Sequence, residues 1–326
     1  MFFNNSNTKR FVESSRRSIF LLLLSFFYAL SANAQQDSLK EKNYSLEFQL
    51  FANTTFNNET SHQLKSDSEI KRTLIVYQQQ LLKNFTVCLA GDTYVKENNR
   101  TYNRTPYLKR AYLQYHNQNL SILTGLLVSE QFKYQRKMWQ LRYVSKTFQN
   151  KFNYGKNRNV GVLLKHKLSN RFSYDVAISS GYYTPIDDSS KKYQLMAGQT
   201  FTTNFCSFRL FNLISLQDHF EHTLAFFISK KLRTSSLGLE VARKNSNNEI
   251  ADEDQFGFSI FGNCILYKNW MCFARYDMNK ESVEPKPNTI IWAGLQYSFK
   301  KHLKASLFYK SKDYESNCYG LGIFIH

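Results

Sequence analysis

The chain has 326 residues, 43 Lys and Arg against 25 Asp and Glu, and a formal net charge of +18. Aromatic residues make up 16% of it and prolines number only four, which excludes a disordered polar chain. Its basic residues are dispersed, which argues against nucleic acid as a partner and for attraction of anionic solutes.

Residues 1–34 read as an export signal. Lys9, Arg10, Arg16 and Arg17 form a basic start, and Ile19 to Leu30 form an apolar run too short for a membrane span. Ala32-Asn33-Ala34 places cleavage before Gln35. Removal takes away four basic residues and one acidic one, leaving +15. The residue after the cut is not Cys, so no lipid anchor is expected.

No later stretch reaches the ~20 apolar residues of a transmembrane helix. If the mature chain, 35–326, spans a membrane, it does so as a closed barrel, because lipid leaves open sheet edges unsatisfied. From Tyr44 onward the pattern has period two. Tyr44, Leu46, Phe48 and Leu50 alternate with polar residues, as do Phe172, Tyr174, Val176 and Ile178. Ile291 to Phe299 and Leu303 to Tyr309 continue the pattern. Such segments, each of about ten residues, are the length of a tilted membrane strand. They predict an all-β, antiparallel, up-and-down transmembrane barrel of about sixteen strands, with fourteen and eighteen as alternatives.

Short turns are expected at Lys83-Asn84, Asn117 to Asn119, Ser169-Asn170, near Asn204, Lys231 to Arg233, Lys268-Asn269 and Lys300-Lys301. Longer links are expected at 53–67, 97–106, 128–158, 182–191, 245–253, 279–288 and 312–316. Tight turns at one end and long loops at the other are the asymmetry of outer-membrane barrels, and an even strand count leaves both termini on the periplasmic side. The alternating C-terminal stretch from Tyr319 to Ile325 is similar to the strand that barrel-assembly machinery recognises, although His326 replaces a terminal aromatic.

Five cysteines are scattered along the strands and read as small apolar residues, a Cys264–Cys272 hairpin bridge being the alternative. No Gly-rich phosphate loop, HExxH or GxSxG is present, so no catalytic residue, cofactor or metal is expected. His219 and His222 are three apart, which on a strand puts them on opposite faces.

With apolar residues assigned to lipid, the opposite parity collects Arg110, Lys165, Arg209, Arg275 and Lys304. A charge near the middle of the lipid face costs ~2–4 kcal/mol, so these five are expected to line a lumen. There they either favour anions or solvate the interior and pair with Asp92, Asp175, Glu240 or Asp277. The aromatic and basic run from Gln131 to Tyr143 is expected to fold inward and narrow the channel, with Lys133, Arg136, Trp139 and Arg142 as its constriction residues. An outside loop packed on its neighbours is the alternative.

Lys109-Arg110-Ala111-Tyr112-Leu113-Gln114-Tyr115, the Leu123-Thr124-Gly125-Leu126-Leu127 strand and Gln131-Phe132 resemble the phosphate-selective porin (O/P type) family. So does Trp139 to Gly155 followed by Asn159-Val160-Gly161-Val162. This resemblance, best over residues 70–200, implies a sixteen- or eighteen-strand general or anion-preferring porin, often trimeric. The expectation is a passive pore of the bacterial outer membrane, with lipid bilayer, lipopolysaccharide, assembly machinery, small anions and a homotrimer as its partners. A non-conducting structural or adhesive barrel and a barrel lipase are the alternatives.

Overall fold

The computed structural model describes residues 43–58, 64–98, 101–180, 193–216, 220–232, 235–247, 252–282, 284–300, 302–313 and 316–326. The export signal and its cut before Gln35 lie outside the described residues, as do the expected link at 182–191 and His219. Sixteen strands follow one another: β1 Tyr44–Asn58, β2 Leu64–Leu82, β3 Phe85–Asn98, β4 Thr101–Asn117, β5 Leu120–Val128, β6 Arg158–Lys167, β7 Phe172–Ser179 and β8 Tyr193–Thr202. The second half comprises β9 Ser207–Leu216, β10 Phe220–Lys231, β11 Ser235–Asn247, β12 Asp252–Tyr267, β13 Trp270–Glu281, β14 Asn288–Lys300, β15 Leu303–Lys312 and β16 Ser316–Ile325. Between β5 and β6 lie two helices, α1 Glu130–Trp139 and α2 Phe148–Lys151.

Each strand pairs antiparallel with its chain neighbours, and β1 pairs with β16 from Leu50↔Ile325 to Asn57↔Cys318, which closes the barrel. Closure leaves no edge whose backbone groups would meet lipid unpaired. The start of β1 and the end of β16 therefore lie with the short turns. His326 has a role there: its Nε2 lies 3.1 Å from Glu47 Oε1, and its N–H donates to His302 O at 2.9 Å. The C-terminal residue thus ties β16 to β1 by a polar contact.

Alternation along the strands divides the two faces. Leu46, Phe48, Ile178, Leu195, Leu307 and Tyr319 are exposed on the outside. Phe51, Met196, Phe211, Phe273, Trp292 and Phe308 are buried inside. At the short-turn end, Phe205, Tyr267, Trp270 and Phe299 are exposed, aromatic rings of the kind that girdle a barrel at the membrane–water boundary.

The strands run longer than the roughly ten-residue lipid crossing, β2 reaching 19 residues. The links expected at 53–67, 97–106 and 245–253 are largely strand, since β1 reaches Asn58, β3 ends at Asn98, β4 starts at Thr101 and β11 reaches Asn247. Above the lipid both faces of a ladder are polar, as at Ser66, Asp67, Ser68 and Glu69. Period two then disappears while the backbone pairing continues.

Five register shifts occur among the described residues. Three lie beside turns, at Gln80/Leu82, Ile265/Tyr267 and Ser298/Lys300, and two lie within the wall, between Phe51 and Ala52 opposite Lys71 and between Ala90 and Gly91 opposite Lys109. An extra residue lets two successive side chains lean the same way, so Lys109 and Arg110 both serve the interior. Gly125 of β5 has φ +124°, and a Cβ there would run into the Ala111 carbonyl oxygen. Only glycine tolerates that conformation cheaply. Gly125→Ala is expected to destabilise the barrel by roughly 1–3 kcal/mol, seen as a lower melting temperature of the detergent-folded protein by circular dichroism.

Candidate functional site

The segment from Ser129 to Asn157 folds against the inner face of the wall. In α1, Gln131, Phe132, Gln135, Met138 and Trp139 are buried, a spacing that keeps them on adjoining helical faces, while Lys133 and Arg136 are only partly covered. Glu130 lies in the first turn, and Arg136 and Lys137 in the last, as the helix dipole favours. Gln140 closes the helix in the left-handed conformation at φ 61°.

Hydrogen bonds tie this segment to six consecutive strands. Arg209 Nε on β9 donates to Gln131 Oε1 at 2.8 Å, and Tyr134 Oη lies 3.0 Å from Ser229 Oγ on β10. Ser236 Oγ on β11 donates to Met138 O at 2.9 Å, and Gln255 Nε2 on β12 to Phe152 O at 2.8 Å. Tyr154 Oη donates to Asn279 Oδ1 on β13 at 2.7 Å, and Tyr143 Oη to Gln296 Oε1 on β14 at 2.8 Å. Glu240 of β11, 2% exposed, accepts hydrogen bonds from Gln135 of α1 and Gln149 of α2. Around these bonds packs an apolar core in which Met138, Trp139, Leu141, Tyr143 and Val144 meet Phe51, Phe227, Phe261, Phe273, Trp292 and Phe308. The run from Gln131 to Tyr143 is therefore inside the barrel. The alternative, a loop packed outside, is not what the chain adopts.

All five cations expected inside do lie on the inward face, but they differ in what they touch. Arg209 donates to Asp175 through Nη1 at 2.8 Å and Nη2 at 3.1 Å. Arg275 donates from Nε to Asp277 Oδ1 at 2.6 Å and from Nη1 to Lys146 O at 2.7 Å, and its guanidinium lies 5.1 Å from the Trp139 ring centre. Lys165 lies 3.4 Å from Glu130. Those three are structural, tying wall and segment together. Among the described residues Lys304 makes no ion pair, and its Nζ lies 5.8 Å from the Phe324 ring centre. Arg110 Nε is buried without a hydrogen-bond partner among the described residues.

The four segment residues also separate. Trp139, 1% exposed, is an anchor, with edge-to-face contacts to Phe261 at 5.4 Å and Phe273 at 6.1 Å. Lys133 pairs with Glu130 at 2.6 Å. Arg136 and Arg142 make no ion pair among the described residues, and Arg142 Nε and Nη1 are buried without a partner. Burial first, and then the Arg72 guanidinium, pulls Arg142 down to about 10. Burial, followed by Arg142, Arg110 and Arg72, pulls Arg136 down to about 9. Both remain cationic at neutral pH.

Arg72 and Lys109 were not among the residues expected at the site. Both are buried and both bind Asp92, Arg72 through Nε at 2.9 Å. Arg72 shares its face with buried Leu74 and Val76, whose apolar character does not mark an inward face, and the bulge at Lys109 upsets parity counting on β4.

A cavity of about 540 Å³ opens at the short-turn end beneath α1, lined in part by Lys133, Lys137, Lys165, Lys167 and Arg171. His116 and Ser121 on its margin are 2.9 Å apart. Among the described residues His116 makes no hydrogen bond to a carboxylate, the third group a Ser–His nucleophile needs.

The architecture is similar to solved bacterial channels. OmpF of Salmonella typhi, in a complex with daunomycin, superposes with a TM-score of 0.68 at 11% identity, covering 88% of this chain and 99% of that one. The anion-selective porin from Comamonas acidovorans gives 0.67 at 10%, covering 86% and 99%. The outer-membrane channel DcaP of Acinetobacter baumannii gives 0.65 at 13%, covering 86% and 96%. The fold is that of a porin barrel. No protein-family model matches the sequence, and no curated protein does.

Two consequences of this porin barrel can be measured. Removing Glu240 takes away the acceptor shared by α1 and α2, so Glu240→Ala is expected to let trypsin cut within residues 130–156 while the wall stays intact on a gel. Breaking a buried ion pair from one side costs roughly 3–5 kcal/mol. Arg275→Gln is therefore expected to unfold at a clearly lower urea concentration than the wild type.

Proposed function

We propose that this chain is exported with cleavage before Gln35 and inserted into the outer membrane as a passive pore for small hydrophilic solutes, with a preference for anions. The observation that carries this reading is the set of inward cations that have no carboxylate partner among the described residues: Arg110, Arg136, Arg142 and Lys304. Arg209, Arg275 and Lys165 contribute less to selectivity, because Asp175, Asp277 and Glu130 already neutralise them. The inserted segment narrows the lumen and so sets the size limit. Selectivity then arises from fixed positive charge at a constriction, without cofactor or covalent chemistry. The motifs around Lys109–Tyr115 and Gln131–Phe132 support a place in the phosphate-selective porin (O/P type) family and, with it, a homotrimer.

A second reading has an observation of its own. The packing of Met138, Trp139, Leu141 and Tyr143 against the wall favours a barrel plugged by its segment, serving as a structural or adhesive body. Planar bilayer recording under a salt gradient separates the two. Steady channels with a reversal potential favouring chloride are expected, and Arg110→Gln with Arg136→Gln should move that potential toward zero selectivity. A correctly folded barrel that carries no current would leave the plugged reading in its place.

A further inference from the structure

The links that join β2 to β3, β4 to β5, β6 to β7, β8 to β9, β10 to β11, β12 to β13 and β14 to β15 contain no Asp or Glu. At the same end Lys83, Lys167, Arg171, Lys231, Lys268 and Lys300 are exposed. None of these six makes an ion pair among the described residues, and Glu47, a carboxylate near this rim, lies 3.1 Å from His326 Nε2. The opposite end is different, because its ladders pair their charges. Arg243 meets Asp254 at 2.8 Å, Lys244 meets Glu221 at 3.5 Å, and Lys71 meets Glu69 at 3.6 Å. Positive charge is therefore left unbalanced on the short-turn rim alone.

A second observation is independent of the charge count. Leu81 and Leu82 precede Lys83, Leu232 follows Lys231, Tyr267 and Trp270 flank the Lys268-Asn269 turn, and Phe299 precedes Lys300, all six apolar side chains being exposed. The arrangement is most complete on β12 to β15. Trp270 pairs with Tyr297 across β13 and β14, with ring centres 4.9 Å apart, and Tyr297 meets Phe299 edge-to-face at 4.8 Å. Lys268 and Lys300 stand beyond that rung on adjoining hairpins, and Lys268 Nζ lies 5.0 Å from the Tyr267 ring centre. The Ser298 N–H donates to Asn269 O at 3.0 Å, which holds one turn against the next strand. A shelf of rings with cations past its edge matches the two layers of a membrane surface, acyl chains first and headgroups beyond.

We propose that the short-turn rim is a docking surface for a leaflet of anionic phospholipid. Lys268 and Lys300 hold headgroup phosphates there, while Trp270, Tyr297 and Phe299 lie against the upper acyl chains. The rings alone would suit any lipid, and the unpaired lysines select the anionic ones. A zwitterionic headgroup carries its own cation, which competes with lysine for the phosphate, whereas an anionic headgroup leaves that phosphate open. Attraction of this kind fades within a Debye length, about 8–10 Å, so the turn lysines set it and the lumenal arginines do not. The surface rests on the reading of the barrel as membrane-inserted, but it requires no current through the lumen.

The test places the full barrel in vesicles whose phosphatidylcholine or phosphatidylglycerol carries bromine high on the acyl chain, where it quenches a tryptophan that it touches. Of the three tryptophans, Trp139 and Trp292 are buried inside and Trp270 is exposed, so quenching reports the proposed surface. At low salt, phosphatidylglycerol is expected to occupy the contact with Trp270 about fivefold or more in preference to phosphatidylcholine. Lys268→Asn, chosen because Asn tolerates the φ of 43° at that turn, combined with Lys300→Gln should bring the preference close to one. Lys244→Gln, at the other end, should leave it unchanged. Raising salt to about 1 M should also remove it from the wild type, a measurement that needs no variant. Equal quenching by the two lipids, or a preference that survives the double substitution, would overturn the surface and leave the pore reading standing. Equal quenching together with salt-sensitive sedimentation on murein sacculi would assign the rim to the cell wall instead. A folded barrel that enters neither vesicle would overturn both readings.

Discussion

Backbone hydrogen bonding in a medium without water is the constraint from which the rest follows. A strand in lipid has no solvent to satisfy an open edge, so the sheet closes on itself, and here it closes by pairing β1 with β16. Closure creates an interior that differs in kind from the outside. The outer face needs only apolar side chains. The inner face can hold charge, provided that each charge finds a partner or water.

That interior is divided by the inserted segment. On one side, α1, α2 and the chain between them are bound to β9 through β14 by buried polar groups around an aromatic core. On the other side stand cations from the segment and from β2 and β4. The first side resembles the interface between two domains, aromatic at its centre and crossed by hydrogen bonds. The second carries fixed charge in excess, which concentrates counter-ions in a low-dielectric surround. Rigidity on the packed side holds the cationic side in place, since Arg136 and Arg142 follow directly from the anchoring of Gln135, Trp139 and Tyr143.

Much of the wall was legible because period two is forced wherever one face meets lipid and the other does not. The turns at Lys83-Asn84, Asn117 to Asn119, Ser169-Asn170 and Lys268-Asn269 were equally plain, since turn residues interrupt the alternation. Strand extensions such as Ser66 to Glu69 were not legible, for above the lipid no face needs to be apolar. The inward fold of residues 131–143 was readable from its aromatic and basic content. Its attachment was not. Glu240 stood among four carboxylates offered, in one of two alternatives, as partners of the inward cations; it meets Gln135 and Gln149, over 90 residues away in sequence in each case. Long-range partners of that sort have no local pattern. Bulges were a further obstacle: one added residue at Lys109 makes two neighbours share a face, and simple parity counting fails beyond it.

Tyr143 lies near the middle of the chain, yet it stands against residues close to both ends. Its ring centre is 6.3 Å from that of Phe51 on the first strand, and it stacks on Phe324 of the last at 5.6 Å. Phe51 and Phe324 in turn meet edge-to-face at 5.3 Å. The three rings form a clasp at the joint where the wall is sealed. During assembly, the filling of the lumen and the closing of its wall therefore share a single contact, and a disturbance of either one is felt by the other.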